Sequence, residues 1–140
     1  NAGFPRRTAV GVDWNRLNLI IAVLEKKIGL PLMNQDIYIN VVGGLKLEGT
    51  SADLGVAMAI YSSMQGIAMP SKDMMVIGEI SLTGDLRPVR HADKLIREAA
   101  KMGFTTCIIS KRSKLRIEGM TDFKIEAVGT LREALQFINK

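Results

Sequence analysis

The sequence predicts a layered α/β domain, with helices packed against a mixed sheet. Three observations carry that prediction. Apolar residues recur at two periods, about 2 and about 3.6 residues, in segments that alternate along the chain. Glycine and proline separate those segments, and no internal repeat or linker interrupts them. The resulting order, β-α-β-α-ββ-α-β-β-α, is that of helices laid on a sheet with strands of both directions. The chain has 140 residues, 47% of them apolar and 24% charged, which is one domain of ordinary globular composition. A disordered tail, a collagen-like repeat and a coiled-coil rod are thereby excluded.

Residues 6–12 read as a short strand, with β-branched Thr8 and Val10 and with Gly11 near its end. Asp13 or Asn15 then caps a helix, because a short side-chain oxygen can satisfy a free N–H of the first turn. Leu17, Ile20, Ile21, Leu24 and Ile28 recur at helical spacing, and Gly29 followed by Pro31 stops that helix. Residues 36–47 alternate: Ile37, Ile39 and Val41 fall on one parity, Tyr38 and Asn40 on the other. Gly43-Gly44 interrupts this strand, as a bulge or a close backbone approach would. Residues 51–64 form the second helix, with Leu54, Ala57, Met58 and Tyr61 on one face. Gly66 and Pro70 end it.

Residues 74–82 read as a strand that turns at Thr83-Gly84-Asp85 and returns over 86–89 as a hairpin. The third helix covers 90–102, with Leu95, Ile96, Ala99 and Met102 inward and Gly103 at its end. Strands follow at 105–110 and 124–128, separated by a basic loop. Thr130-Leu131-Arg132-Glu133 is a capping box that opens the last helix. Most of the eight methionines fall on core faces of these elements.

The longest apolar runs, such as 19–24, are far shorter than the roughly 20 residues of a membrane-spanning helix. No membrane partner is expected, and no secretory leader is visible. The single cysteine, Cys107, lies in the apolar run Cys107-Ile108-Ile109 and reads as a small buried hydrophobe in a reducing compartment. A cytoplasmic location is the expectation. One cysteine and one histidine, His91, supply neither a disulfide framework nor a metal cage, so no metal ligands are assigned. The chain opens Asn1-Ala2-Gly3, and we read it as a piece of a longer protein.

The formal net charge is +5 and the sequence pI about 9.6, but the charge is uneven. Residues 87–116 carry nine bases, Arg87, Arg90, Lys94, Arg97, Lys101, Lys111, Arg112, Lys114 and Arg116, against two acids, Asp93 and Glu98, a net +7. The rest of the chain carries ten bases and twelve acids, a net −2. Such asymmetry points one face at an anionic partner. These nine bases are the candidate residues for that contact. The few aromatics are scattered and mostly on core faces, so base stacking is not expected.

No Gly-Lys-Ser/Thr phosphate loop occurs, and no Gly-x-Gly-x-x-Gly follows a strand. The chain by itself is not expected to bind or hydrolyse a nucleotide. Two segments are more informative. Gly49-Thr50-Ser51-Ala52-Asp53-Leu54 leads into a helix. A hydroxyl there sits at the positive end of the helix dipole, where a nucleophile is favoured and where an ordinary N-cap serine also belongs. The second is Gly78-Glu79-Ile80-Ser81-Leu82-Thr83-Gly84-Asp85-Leu86-Arg87-Pro88-Val89, followed by a helix bearing Lys94.

Together these segments resemble the proteolytic domain of the Lon family. That family has a Gly-Pro-Ser-Ala-Gly nucleophile loop, a Gly-Glu-Ile-(Ser/Thr)-Leu-x-Gly-x-Val-x-Pro-Ile-Gly-Gly segment and a catalytic lysine beyond it. The chain is more closely similar to the Lon-like C-terminal domain of the RadA (Sms) family of bacterial DNA-repair ATPases. That likeness runs nearly end to end: Arg6-Arg7-Thr8-Ala9-x-Gly11-x-Asp13-x-Asn15-Arg16, then Ala22-Val23-Leu24-Glu25-Lys26-Lys27-x-Gly29. It continues through Asn34-Gln35-Asp36-x-Tyr38, Val42-Gly43-Gly44-x-Lys46 and Ala52-Asp53-Leu54, and closes with Arg97-Glu98-Ala99-Ala100-Lys101-x-Gly103-Phe104.

The resemblance implies a parent with a zinc finger, a RecA-like ATPase and this domain, acting as a ring-forming motor on branched DNA in recombination and repair. ATP and zinc then belong to parts outside this chain, and no cofactor is expected within it. The partners implied are DNA, branched or single-stranded, and further copies of the parent in a hexameric ring. The domain is expected to be non-catalytic, holding the ring and offering DNA a basic surface. The alternative is an active peptidase with a Ser51–Lys94 dyad, in which a neutral lysine takes the serine proton.

Departures from the Lon pattern weigh against that alternative. Thr50 stands where Lon has Pro, Asp53 where it has Gly, and Arg90-His91 where it has Gly-Gly. An anion at Asp53, close to Ser51, disfavours a neutral lysine. Ungapped counting from Pro88 puts the Lon lysine at Leu95, one place from Lys94. One residue on a helix is about 100° of rotation. A third reading is a ring scaffold whose bases meet acids of a neighbour, such as Glu25, Asp36 or Glu48.

Overall fold

Short polar side chains and glycines set the ends of most elements. The computed structural model describes residues 7–10, 13–32, 37–40, 50–68, 71, 73–113, 115 and 122–138, with 7–10 and 37–40 described by backbone alone. Strand β1 (Arg7–Val10) pairs in parallel with β2 (Ile37–Asn40), Thr8 opposite Tyr38. Between them runs α1 (Trp14–Val23), whose cap is Asp13. Its carboxylate accepts the Arg16 backbone N–H at 3.0 Å. The helix continues as a π-helical turn, Leu24–Ile28, and ends at Gly29 with φ 81°. That left-handed conformation costs glycine no Cβ contact.

Helix α2 (Asp53–Gln65) ends the same way at Gly66. The strand expected over 74–82 divides at Gly78. Strand β3 (Met74–Ile77) joins one sheet, and β4 (Glu79–Ile80) pairs antiparallel with β5 (Leu86–Arg87) in another. The break occurs because the Gly78 N–H and carbonyl leave the strand direction to bond Ser51 and Leu54. Helix α3 (Ala92–Lys101), strands β6 (Thr106–Ser110) and β7 (Lys124–Val128) and helix α4 (Leu131–Leu135) complete the order. Thr130 caps α4 by accepting the Glu133 backbone N–H at 3.1 Å.

Strands β3, β6 and β7 form a parallel sheet in the order β3-β6-β7. Alternation along these strands divides the core into two layers. Leu54, Met58 and Ile108 bury with α1 and α4 on one face. Met75, Ile77, Cys107 and Ile109 bury with Ala92, Ile96 and Ala99 of α3 on the other. The fold is the expected α/β arrangement, with helices on both sides of a parallel sheet and a small antiparallel hairpin beside it. One side chain expected inward, Met102, lies outward, and one of the aromatics, Trp14, is off the core. Met102 is 47% exposed because α3 ends at Lys101 and the cap residue leaves its buried face, and Trp14 is 49% exposed at the first turn of α1.

Candidate functional site

The two segments singled out from the sequence meet in space. Gly78 donates its N–H to the Ser51 carbonyl at 2.9 Å, and its own carbonyl accepts the Leu54 N–H at 2.9 Å. A Cβ on Gly78 would lie 3.4 Å from Leu54 Cβ, in close van der Waals contact. The Thr50 hydroxyl donates to the Glu79 carboxylate, and Arg87 Nε lies 3.4 Å from the other Glu79 oxygen.

Beside this contact lies an ion pair whose carboxylate is buried and whose guanidinium is partly exposed. Asp53 is 2% exposed. Its carboxylate accepts from Arg16 Nη2 and, at 3.3 Å, from Arg16 Nε. It also accepts the Ile80 backbone N–H at 3.0 Å, while Arg16 Nη2 donates to the Ile80 carbonyl at 3.1 Å. Burial pushes the Asp53 carboxyl up, opposed by the Arg16 and Ile80 donors. Arg16 is raised, chiefly by its bond to Asp53. Every partner of the carboxylate is an N–H donor, an arrangement that suits the ionised form.

Ser51 does not cap α2 with its side chain. The cap position falls on Ala52, which has no side-chain bond to give. Ser51 joins the structure through its carbonyl, and its hydroxyl makes no hydrogen bond among the described residues. Lys94 is exposed on α3, and its side chain forms no ion pair or hydrogen bond among the described residues. Helices α2 and α3 lie against opposite faces of the parallel sheet. Leu95, at the position of the Lon lysine, is partly buried against the second core layer. Asp53, read as a loose anion near Ser51, has its charge met by Arg16 instead.

The basic residues separate into two groups. Arg90, Lys94, Arg97, Lys101 and Lys111 are exposed. On α3, Lys94, Arg97 and Lys101 recur on the face opposite Ala92, Ile96 and Ala99, which point to the sheet. Arg87 is tied to Glu79. Arg112 is exposed, yet its Nη1 donates to the Leu86 carbonyl at 3.3 Å and the Gly129 carbonyl at 3.1 Å. Lys114 and Arg116, with Gly43-Gly44, Lys46, Gly49, Asp36 and Glu48, lie outside the described residues. Sequence reasoning missed the Arg16–Asp53 pair. The one available signal was a charged residue on the apolar face of α2, beside Leu54.

The family model described as subunit ChlI of Mg-chelatase matches residues 7–113. The chain belongs to this family. Among the described residues, no group of three or more His, Cys, Asp or Glu could hold a metal ion such as the one in that family's name. Proteins named DNA repair protein RadA are close relatives. The one from Halalkalibacterium halodurans is 42% identical over 134 residues, which is 96% of this chain and 29% of the relative. The one from Escherichia coli is 43% identical over 124 residues, 87% of this chain and 27% of the relative. The one from Streptococcus pneumoniae is 42% identical over 134 residues, 96% of this chain and 32% of the relative. The chain therefore spans under a third of the length of these relatives. Among the described residues no helix is long and apolar enough to cross a membrane.

Proposed function

We propose that the chain is the Lon-like module of a RadA-type DNA repair protein. In this reading it contacts DNA and neighbouring copies of its parent in a ring, and does not cleave peptide bonds. The observation that carries the reading is the outward stripe of α3, Lys94, Arg97 and Lys101, in a chain whose relatives are named DNA repair protein RadA. Arg90, just before α3, and Lys111, after β6, are further exposed bases. Arg90, Lys94, Lys101 and Lys111 have no carboxylate partner among the described residues, so their charge is available to an anion. Phosphates neutralised by such side chains release counterions, which makes binding sequence-independent and salt-sensitive. In the same reading, the parent's ATP and zinc sites belong to segments beyond this chain.

The test is fluorescence anisotropy of labelled duplex, forked and single-stranded DNA. Charge reversal at Arg97, Lys101 and Lys111 is expected to weaken binding to every sequence alike. Unchanged affinity removes those residues from the DNA surface. The peptidase reading keeps one supporting feature, the unengaged Ser51 hydroxyl beside the start of α2. Against it stand the exposed Lys94 and the absence of any bond between the two side chains. A serine-directed phosphonate is expected to leave Ser51 unlabelled. Stoichiometric labelling that disappears in Ser51→Ala would establish a working nucleophile.

A further inference from the structure

The loop after β6 is basic, but its backbone is clamped. Lys111 donates its N–H to the Val128 carbonyl at 2.8 Å. Arg112 donates its N–H to Ser110 Oγ at 3.2 Å, and the Ser110 hydroxyl donates to the Leu86 carbonyl at 3.2 Å. Val89 donates its N–H to Ser113 Oγ at 3.0 Å. Residues 110–113 are thus pinned to β5, to the segment after it and to the end of β7.

Within this clamp, both protons of Arg112 Nη1 are used, on the Leu86 and Gly129 carbonyls. A guanidinium has five N–H donors in one plane. Two bonds from one terminal nitrogen fix that plane and leave the Nε/Nη2 edge, a fork of donors suited to two oxygens of one anion. No carboxylate pairs with Arg112 among the described residues, and no further bond engages it. The side chain is exposed and lines an open groove beside the β4–β5 hairpin, whose walls also carry Arg16 and Arg87, paired with Asp53 and Glu79, and the carboxylates of Glu79 and Asp85. Unlike the lysines of α3, this cation is already ordered. Little side-chain entropy remains to be lost on binding.

We propose that Arg112 is the pre-positioned phosphate contact of the domain, its Nε/Nη2 edge holding one phosphodiester of the DNA backbone in a two-pronged contact. The inference rests on the DNA-contact reading above and assigns one of its contacts a fixed geometry. The lysines of α3 and Lys111 then add diffuse attraction around one anchored phosphate.

The test compares Arg112→Lys and Arg112→Gln with the unsubstituted 140-residue chain on labelled duplex DNA across a salt series. Lysine keeps the charge and loses the fork; glutamine keeps a donor and loses the charge. Arg112→Lys is expected to weaken binding about ten-fold at fixed salt, and Arg112→Gln at least as much. The glutamine variant is also expected to lower the salt slope by about 0.9, one phosphate contact. Thermal melts of both variants accompany the titrations. If Arg112→Gln does not fold, the lysine variant alone decides. Wild-type affinity in Arg112→Lys, with binding still lost on charge reversal at Arg97 and Lys101, overturns the fixed contact and leaves the broader reading standing. No binding by the unsubstituted chain at low salt overturns both.

Discussion

At Asp53 and Arg16, one contact ties three elements together. The carboxylate at the start of α2 meets a guanidinium from α1, and both bond the Ile80 peptide of β4. Removing one partner of a buried pair leaves the other uncompensated, which costs far more than losing a surface pair. Asp53→Ala is expected to lose about 3 kcal/mol in urea denaturation at pH 7. The exposed Arg87–Glu79 pair is a contrast, and Arg87→Ala is expected to lose under about 1 kcal/mol. Equal losses would mean that the buried pair is no stronger than the surface one. Cys107 supplies a pH dependence. Burial pushes its thiol from the ordinary 9.0 up to about 12. Across that range the unfolded chain gives up the thiol proton and the folded chain keeps it, so stability falls as pH rises. The slope from this group is about 1.4 kcal/mol per pH unit. Denaturation curves of the parent and of Cys107→Ala above pH 9 should differ by that slope. Parallel curves would show that the thiol ionises as easily folded as unfolded.

At the scale of elements, the start of α3 holds a local conflict. His91 occupies the cap position in the left-handed conformation, φ 56°, and its side chain makes no capping bond. That conformation costs a non-glycine residue about 1 kcal/mol. The Lon pattern has glycine at this position, and the left-handed backbone supplies a physical reason for it. His91→Gly is expected to raise stability by about 0.5–1 kcal/mol, read as a higher urea midpoint with an unchanged slope. A lower midpoint would mean that the imidazole contributes contacts worth more than the strain. Helix α3 is also the element on which the two faces separate most cleanly. Ala92, Ile96 and Ala99 are buried against the sheet, while Lys94, Arg97 and Lys101 face solvent.

At the scale of the whole molecule, the imbalance between residues 87–116 and the rest becomes a spatial one. Four exposed cations, Arg90, Lys94, Arg97 and Lys101, lie on α3 and the turn before it, and a fifth, Lys111, follows β6 with its side chain beside Gly129. If all five meet phosphates of duplex DNA, log affinity should fall against log salt with a slope of about −4 to −5. A slope shallower than about −1 would leave α3 outside the DNA surface. Among the described residues the most exposed large apolar side chain, Leu82 at 70%, lies at the tip of the β4–β5 hairpin, while Met102 is exposed at the end of α3.

The sequence by itself determined the elements and their class. Helix and strand periods, the Asp13 and Thr130 caps and the glycine stops at Gly29, Gly66 and Gly103 act over a few residues, so they are legible in order along the chain. The division of 74–82 at Gly78 was not legible, because its cause is a contact with Ser51 and Leu54 from another element. The same holds for the charges. Arg16 and Asp53 are 37 residues apart, and nothing in spacing says that they meet. Arg112 looks in the sequence like any other base of the loop. Only the tertiary structure gives its Nη1 two carbonyls and leaves the other edge free. Charge compensation depends on distances of a few ångströms in space, and those are set by how the layers pack.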